Sequence, residues 1–195
     1  QALINRLGFN NLGAHNISSR ISSNKPTGLL GVNIGPNKDT NDRLNDYLIG
    51  LKNFYKICDY ITINISSPNT ESLRDFHEQS RLHELLSLID KEKKKLNSKI
   101  PIVIKISPDI LDEEINNICK ILLNYDIGAI IISNTTDKNR ENLINTSKHQ
   151  KGGLSGKPLE IKSNKLIYNF YSLLKGKIAI IGVGGVDSGK SALNK

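Results

Sequence analysis

Ile100-Pro-Ile-Val-Ile-Lys-Ile106 is apolar in both phases of a strand's alternation, with a single lysine as the exception. A strand of this kind is covered on both faces, as in a parallel sheet packed between other layers. Four more short runs rich in β-branched residues flank it: Leu29–Gly35, the first half of Tyr60–Thr70, Ile127–Ser133 and Lys177–Ile181. Between these runs, apolar residues fall mostly at three- and four-residue steps, as in Leu44, Tyr47, Leu48, Leu51, Phe54 and Tyr55. The same spacing recurs around Leu82–Ile89, Ile115–Leu123 and Leu166–Leu174, and it marks helices with one buried face. Asp39 or Thr40 is expected to cap the first of these helices, and a last helix is expected to open at Asp187 or Ser188. Ala2–Gly13, with two glycines and three asparagines, reads as a loop after a brief apolar start. The alternation predicts an α/β fold of βα units around a parallel sheet. About five units fit either part of an eight-fold barrel or a doubly wound sheet.

The 195 residues suffice for one domain with a sizeable core. The chain starts at Gln1 and has no methionine, so a processed chain or a fragment is expected. No apolar run approaches the ~20 residues that span a bilayer, and no signal sequence opens the chain, so these residues alone are expected to be soluble. Cys58 and Cys119 lie inside apolar patterns without metal-ligand spacing and read as reduced core residues of an intracellular protein; no metal is expected. The net charge of +8 comes from scattered lysines with few aromatics among them, which argues against nucleic-acid binding. The densest run, Lys91–Lys95, reads as a solvated helix end.

Chemistry concentrates where the strands end. Tyr60–Thr70 runs from alternating apolar residues into Asn64, Ser66, Ser67, Pro68, Asn69 and Thr70, and proline stops the ladder. Asn33 and Asn134 stand near the ends of two other strands, and Asn5 lies in the first loop. An amide offers donors and an acceptor, so such a set matches a ligand edge alternating C=O and N–H, as in pyrimidines and flavins; each asparagine alone serves equally well in a turn. Lys105, inside an apolar strand, either snorkels out of the sheet end or faces a ligand that carries negative charge. No carboxylate or histidine stands in these motifs. His15, His77, His83 and His149 are expected at the surface, which leaves Ser67 as the residue best placed to move a proton.

Gly184-Gly-Val-Asp-Ser-Gly-Lys-Ser191 matches the P-loop pattern after a strand and before a helix. It supports an alternative, a nucleotide hydrolase or kinase that uses Lys190 for phosphate and Ser191 for magnesium. A strand followed by Gly-Val-Gly-Gly equally suits a barrel that binds phosphate through backbone N–H groups.

Six motifs in order strongly resemble the dihydroorotate dehydrogenases: residues 4–11, 33–40, 64–70, 133–136, 152–156 and 182–185. The resemblance implies a (β/α)8 TIM barrel, of which residues 1–195 are a partial FMN-binding domain. It implies oxidation of dihydroorotate to orotate in pyrimidine synthesis. Ser67 aligns with the family's catalytic base, which takes the C5 proton while hydride leaves C6 for the flavin. Serine rather than cysteine there implies the class that passes electrons to a quinone and associates peripherally with an inner or cytoplasmic membrane. Asn5, Arg6, Leu7, Gly8, Phe9, Asn64, Asn69, Asn134 and Thr135 match substrate-binding positions. Asn33, Asn64, Lys105, Ser133, Gly156 and Gly185 match flavin contacts. Relative to that pattern, the N-terminal membrane helices, first barrel strands and last strand have no counterpart in these residues. An open partial barrel that binds FMN weakly or not at all is therefore expected.

Overall fold

The computed structural model describes residues 1–67, 73–138 and 140–195. Five strands form one parallel sheet: β2 (Gly31–Ile34), β3 (Tyr60–Asn64), β4 (Ile102–Ile106), β5 (Ala129–Ile132) and β7 (Ala179–Gly182). Their order is β2-β3-β4-β5-β7, which leaves β2 and β7 at the edges. A separate antiparallel pair joins β1 (Ala2–Asn5) to β6 (Gly153–Gly156). The loop expected over the first residues is thus partly a strand, because Leu3 and Ile4 find partners 150 residues away.

One face of the sheet is built from isoleucine. Ile34, Ile63, Ile104, Ile130 and Ile180 lie in register across all five strands and share a face. The helices α2 (Arg43–Phe54), α3 (Gln79–Lys95), α4 (Asp112–Leu122) and α5 (Glu160–Leu174) bury this face and form the core with it. Each fully buried isoleucine contributes roughly 1.5–3 kcal/mol. The fit is close at Gly50 of α2, where a Cβ would come within 3.0 Å of Ile34.

Asp42, rather than Asp39 or Thr40, caps α2 by accepting from the Asn45 N–H at 3.0 Å. The helix α1 (Ala14–Ser23) has only Ala14, Ile17 and Ile21 to set against the core. Lys91–Lys95 is a helix end as expected, yet Lys93 is buried there and pairs with Asp126 at 2.9 Å. Cys58 and Cys119 are buried free thiols. Among the described residues no helix is long and apolar enough to cross a membrane, and no group of His, Cys, Asp and Glu could hold a metal ion.

Candidate active site

The other face of the sheet carries the polar residues. Asn33 is in register with Thr62, Val103, Ala129 and Ala179, and Asn64 with Lys105, Ile131 and Ile181. This face is less covered than the isoleucine face, with Asn33 and Ala179 exposed and Ile181 41% exposed. Asn64 and Lys105 therefore stand side by side near the carboxyl ends of two adjacent strands.

Asn64 is buried and heavily used. Tyr47 donates its hydroxyl to the Asn64 carbonyl at 2.6 Å. The side-chain Oδ1 of Asn64 accepts from the Ser66 N–H at 3.1 Å and from the Ser66 hydroxyl at 2.7 Å. Asn134 Nδ2 in turn donates to Ser66 Oγ at 3.0 Å. Asn134 is fixed locally as well, because its Oδ1 accepts from the Thr135 N–H and its backbone N–H donates to Ile106. Ser66 is thus the bridge between the two asparagines, a role the sequence did not reveal. Its signal was present in the Asn-x-Ser spacing that forms a local side-chain turn.

Two groups in this mouth lack partners among the described residues. The Nδ2 of Asn64 is buried and has no hydrogen-bond partner there. A buried donor left this way costs about 1–3 kcal/mol, which a ligand acceptor would recover. Lys105 is half-buried, and burial is the one influence on it, pulling its pKa below the ordinary amine value with no compensating anion among the described residues. A buried amide donor beside an uncompensated amine suits a polar ring with carbonyls and developing negative charge. Asn64 and Lys105, two of the flavin contacts that the resemblance implies, have the chemistry such a ring would need.

Ser67 is buried at the end of β3, and Ser133 is buried at the end of β5, where its N–H donates to the Val183 carbonyl at 3.1 Å. A cleft of about 660 Å³ brings Gly8, Phe9, Asn33 and Asn64 together. Other residues of the first loop face elsewhere. Arg6 donates to the Gln150 side chain and the Lys151 carbonyl, Leu7 is solvent-exposed, and Asn5 Nδ2 reaches the Gly153 carbonyl at 3.5 Å. Asn69, Pro68 and Thr70 lie outside the described residues.

Gly156 and Gly185 flank the start of α5. Gly156 opens the turn Lys157–Leu159 just before the helix, and a Cβ on Gly185 would lie 2.5 Å from the Cβ of Glu160. Gly185 has φ +76°, so glycine is needed for conformation as well as space. The match to the P-loop dissolves here. The Ser191 hydroxyl is buried, accepts from the N–H groups of Asp187 and Ser188 at 2.9 Å, and donates to the Ser188 carbonyl. It completes the capping box of the short helix α6 (Gly189–Asn194), whose N-cap is Ser188, so its hydroxyl is committed to the helix start.

His77 corrects the expectation of surface histidines. It is buried in the turn Leu73–His77, where its Nε2 accepts from the Ser107 N–H at 3.4 Å. Asp109, next to the end of β4, is a second buried group the sequence did not single out. Arg74, Lys162 and Thr136 converge on its carboxylate. Burial alone would raise its pKa, but the bonds from Lys162 and Thr136 outweigh burial and hold the carboxyl below the usual range.

Amides, hydroxyls and one amine at the carboxyl ends of parallel strands define the ligand-binding mouth of a βα-repeat enzyme. The family model for dihydroorotate dehydrogenase matches residues 1–195. A dihydroorotate dehydrogenase (quinone) of Bartonella tribocorum is 44% identical over the whole chain, which covers 55% of that relative. One from Buchnera aphidicola subsp. Schizaphis graminum is 45% identical, with 60% of its length covered. The crystal structure of DHODH from Eimeria tenella in complex with ferulenol superposes with a TM-score of 0.93 at 33% identity, covering 99% of this chain and 58% of that one. The chain belongs to the dihydroorotate dehydrogenase family, and its five βα units are part of a (β/α)8 barrel. It spans a little over half the length of the relatives it matches.

Proposed function

We propose that the protein of which these residues form part oxidises dihydroorotate to orotate in pyrimidine synthesis, with a quinone as final electron acceptor and FMN as cofactor. Dihydroorotate dehydrogenases (quinone) that are 41–45% identical along the whole chain support the activity. The observation in this chain that carries it is the unpartnered Asn64 Nδ2 beside Lys105, in a mouth tied together by Ser66 and Asn134.

In this reading Asn64, Asn33 and Lys105 would hold the flavin ring, together with Ser133, and the backbone at Gly156 and Gly185 would receive its phosphate. When bound, FMN supplies a hydride acceptor for C6 of the substrate. Ser67 removes the C5 proton, and its burial excludes bulk water from that transfer. Asn5 to Phe9, Asn64, Asn69, Asn134 and Thr135 grip the substrate. Lys105 adds positive charge where negative charge develops. Peripheral attachment to a membrane would bring the site to its quinone.

The test is Ser67→Ala in the full-length protein. Dihydroorotate oxidation is expected to fall by a factor of about 10²–10⁴, the range for loss of a general base, with flavin still bound. Unchanged turnover would overturn the role of Ser67.

A further inference from the structure

The Asp109 carboxylate joins four segments that surround the mouth. Its side chain is 2% exposed. Arg74 reaches it from the turn Leu73–His77 at 3.0 Å, Lys162 from α5 at 2.5 Å, and Thr136 from the loop after β5 at 2.5 Å. The Ser107 hydroxyl accepts from the Asp109 N–H at 3.1 Å, which holds the loop after β4 in place. Arg74 also spans to Asp137 at 3.2 Å, so the two loops are tied twice.

The turn Leu73–His77 begins six residues after Ser67 and is anchored from two further sides. Phe76 packs edge-on against Tyr47 with ring centroids 5.8 Å apart, and Tyr47 is the residue that holds the Asn64 carbonyl. His77 accepts from Ser107. On the other side of Asp109, Thr136 directly follows Asn134 and Thr135. One buried carboxylate thus sits between the turn Leu73–His77 and the segment carrying Asn134 and Thr135.

The geometry points to Asp109 as a positioning residue, which sets the Asn134–Thr136 loop against the turn Leu73–His77 and, through Phe76 and Tyr47, against Asn64. Asp109 touches none of the reacting groups and acts through Thr136 and Arg74. Arg74 and Thr136 come from different segments and each commits a polar group to the same carboxylate, so its loss releases both at once. A misplacement of about 1 Å at such a site can cost about a hundredfold in rate.

This inference rests on the proposed reaction, and its test separates the two. In the full-length protein, Asp109→Asn and Thr136→Val are compared with the wild type by amide hydrogen exchange and by steady-state kinetics. Asp109→Asn is expected to speed exchange at least tenfold in both 73–77 and 133–137 while strand β4 is unaltered. The kcat for dihydroorotate is expected to fall about 10–100-fold at unchanged flavin content. Thr136→Val, which leaves both ion pairs to Asp109 and the Arg74–Asp137 pair, should speed exchange in 133–137 less than Asp109→Asn does, leave 73–77 unchanged, and raise KM about tenfold with kcat nearly kept. A lower melting temperature with exchange and kinetics unchanged in these segments would overturn the proposal. Should Asp109→Asn fail to fold, Thr136→Val decides: faster exchange in 133–137 with raised KM at unchanged flavin content upholds the positioning of that loop by Asp109, and its absence refutes it. Should the wild type not oxidise dihydroorotate, the reaction assignment fails while the exchange data still judge Asp109.

Discussion

Asn134 Nδ2 donates to Ser66 Oγ at 3.0 Å, joining the mouths of β3 and β5 across the strand β4 that lies between them. The Ser66 hydroxyl donates its own hydrogen bond to Asn64 Oδ1, so three side chains form one directed chain. Each donor orients the next, and Asn64 Nδ2 is left without a partner among the described residues. Ser66→Ala removes both bonds at once and leaves Asn64 Oδ1 with the Ser66 N–H alone. In the full-length protein it is expected to raise KM for dihydroorotate about tenfold, since each lost bond is worth about 1 kcal/mol. Steady-state kinetics check this, and an unchanged KM would disconnect Ser66 from the site.

Lys105 stands in register with Asn64, with burial lowering its pKa. Lys105→Met fits the same space and removes the charge. The expected outcome is loss of most bound flavin, measured as absorbance per protein after gel filtration, with the melting temperature of the apoprotein raised or unchanged. A methionine variant that keeps full flavin would show that the amine faces solvent instead.

Gly185 has φ +76° and abuts the first residue of α5. An alanine there must both adopt a left-handed backbone and push back Glu160. Gly185→Ala is expected to cost about 2–3 kcal/mol of stability by denaturant unfolding. A loss within 0.5 kcal/mol would mean that the start of α5 can shift.

His77 is held neutral, because burial pushes its pKa down to about 4. Its unfolded value near 6.5 is higher, so the unfolded chain takes up a proton first as pH falls. The stabilisation is complete above pH 6.5 and is lost progressively toward pH 4, by about 3 kcal/mol at most. Replacing His77 with Gln removes this dependence, and unfolding midpoints at pH 7 and pH 5 in both proteins measure it. An imidazole NMR resonance titrating near 6.5 would contradict the buried, neutral assignment.

The sheet was legible because the isoleucine row is a local signal, repeated in every strand, and the helices between carry their own spacing. The pair β1–β6 was not, since Ala2–Asn5 and Gly153–Gly156 are four residues each and meet only through a long-range register. Within the mouth, Asn64, Lys105 and Asn134 were readable as polar residues where strands end. Ser66 was readable as one more polar residue of that mouth, but its bridging role lies in what it connects. Asp109, Arg74 and Lys162 carried no signal, because convergence of three other segments on one carboxylate leaves no trace in sequence spacing. His77 was misplaced for the same reason, since its partner Ser107 lies 30 residues away.

The most direct measurement is the visible spectrum of the full-length protein before and after dihydroorotate is added without oxygen or quinone. The account predicts a flavin band that bleaches on mixing in the wild type and persists unbleached in Ser67→Ala. A protein with no flavin band, or a band that dihydroorotate leaves untouched in the wild type, would contradict it.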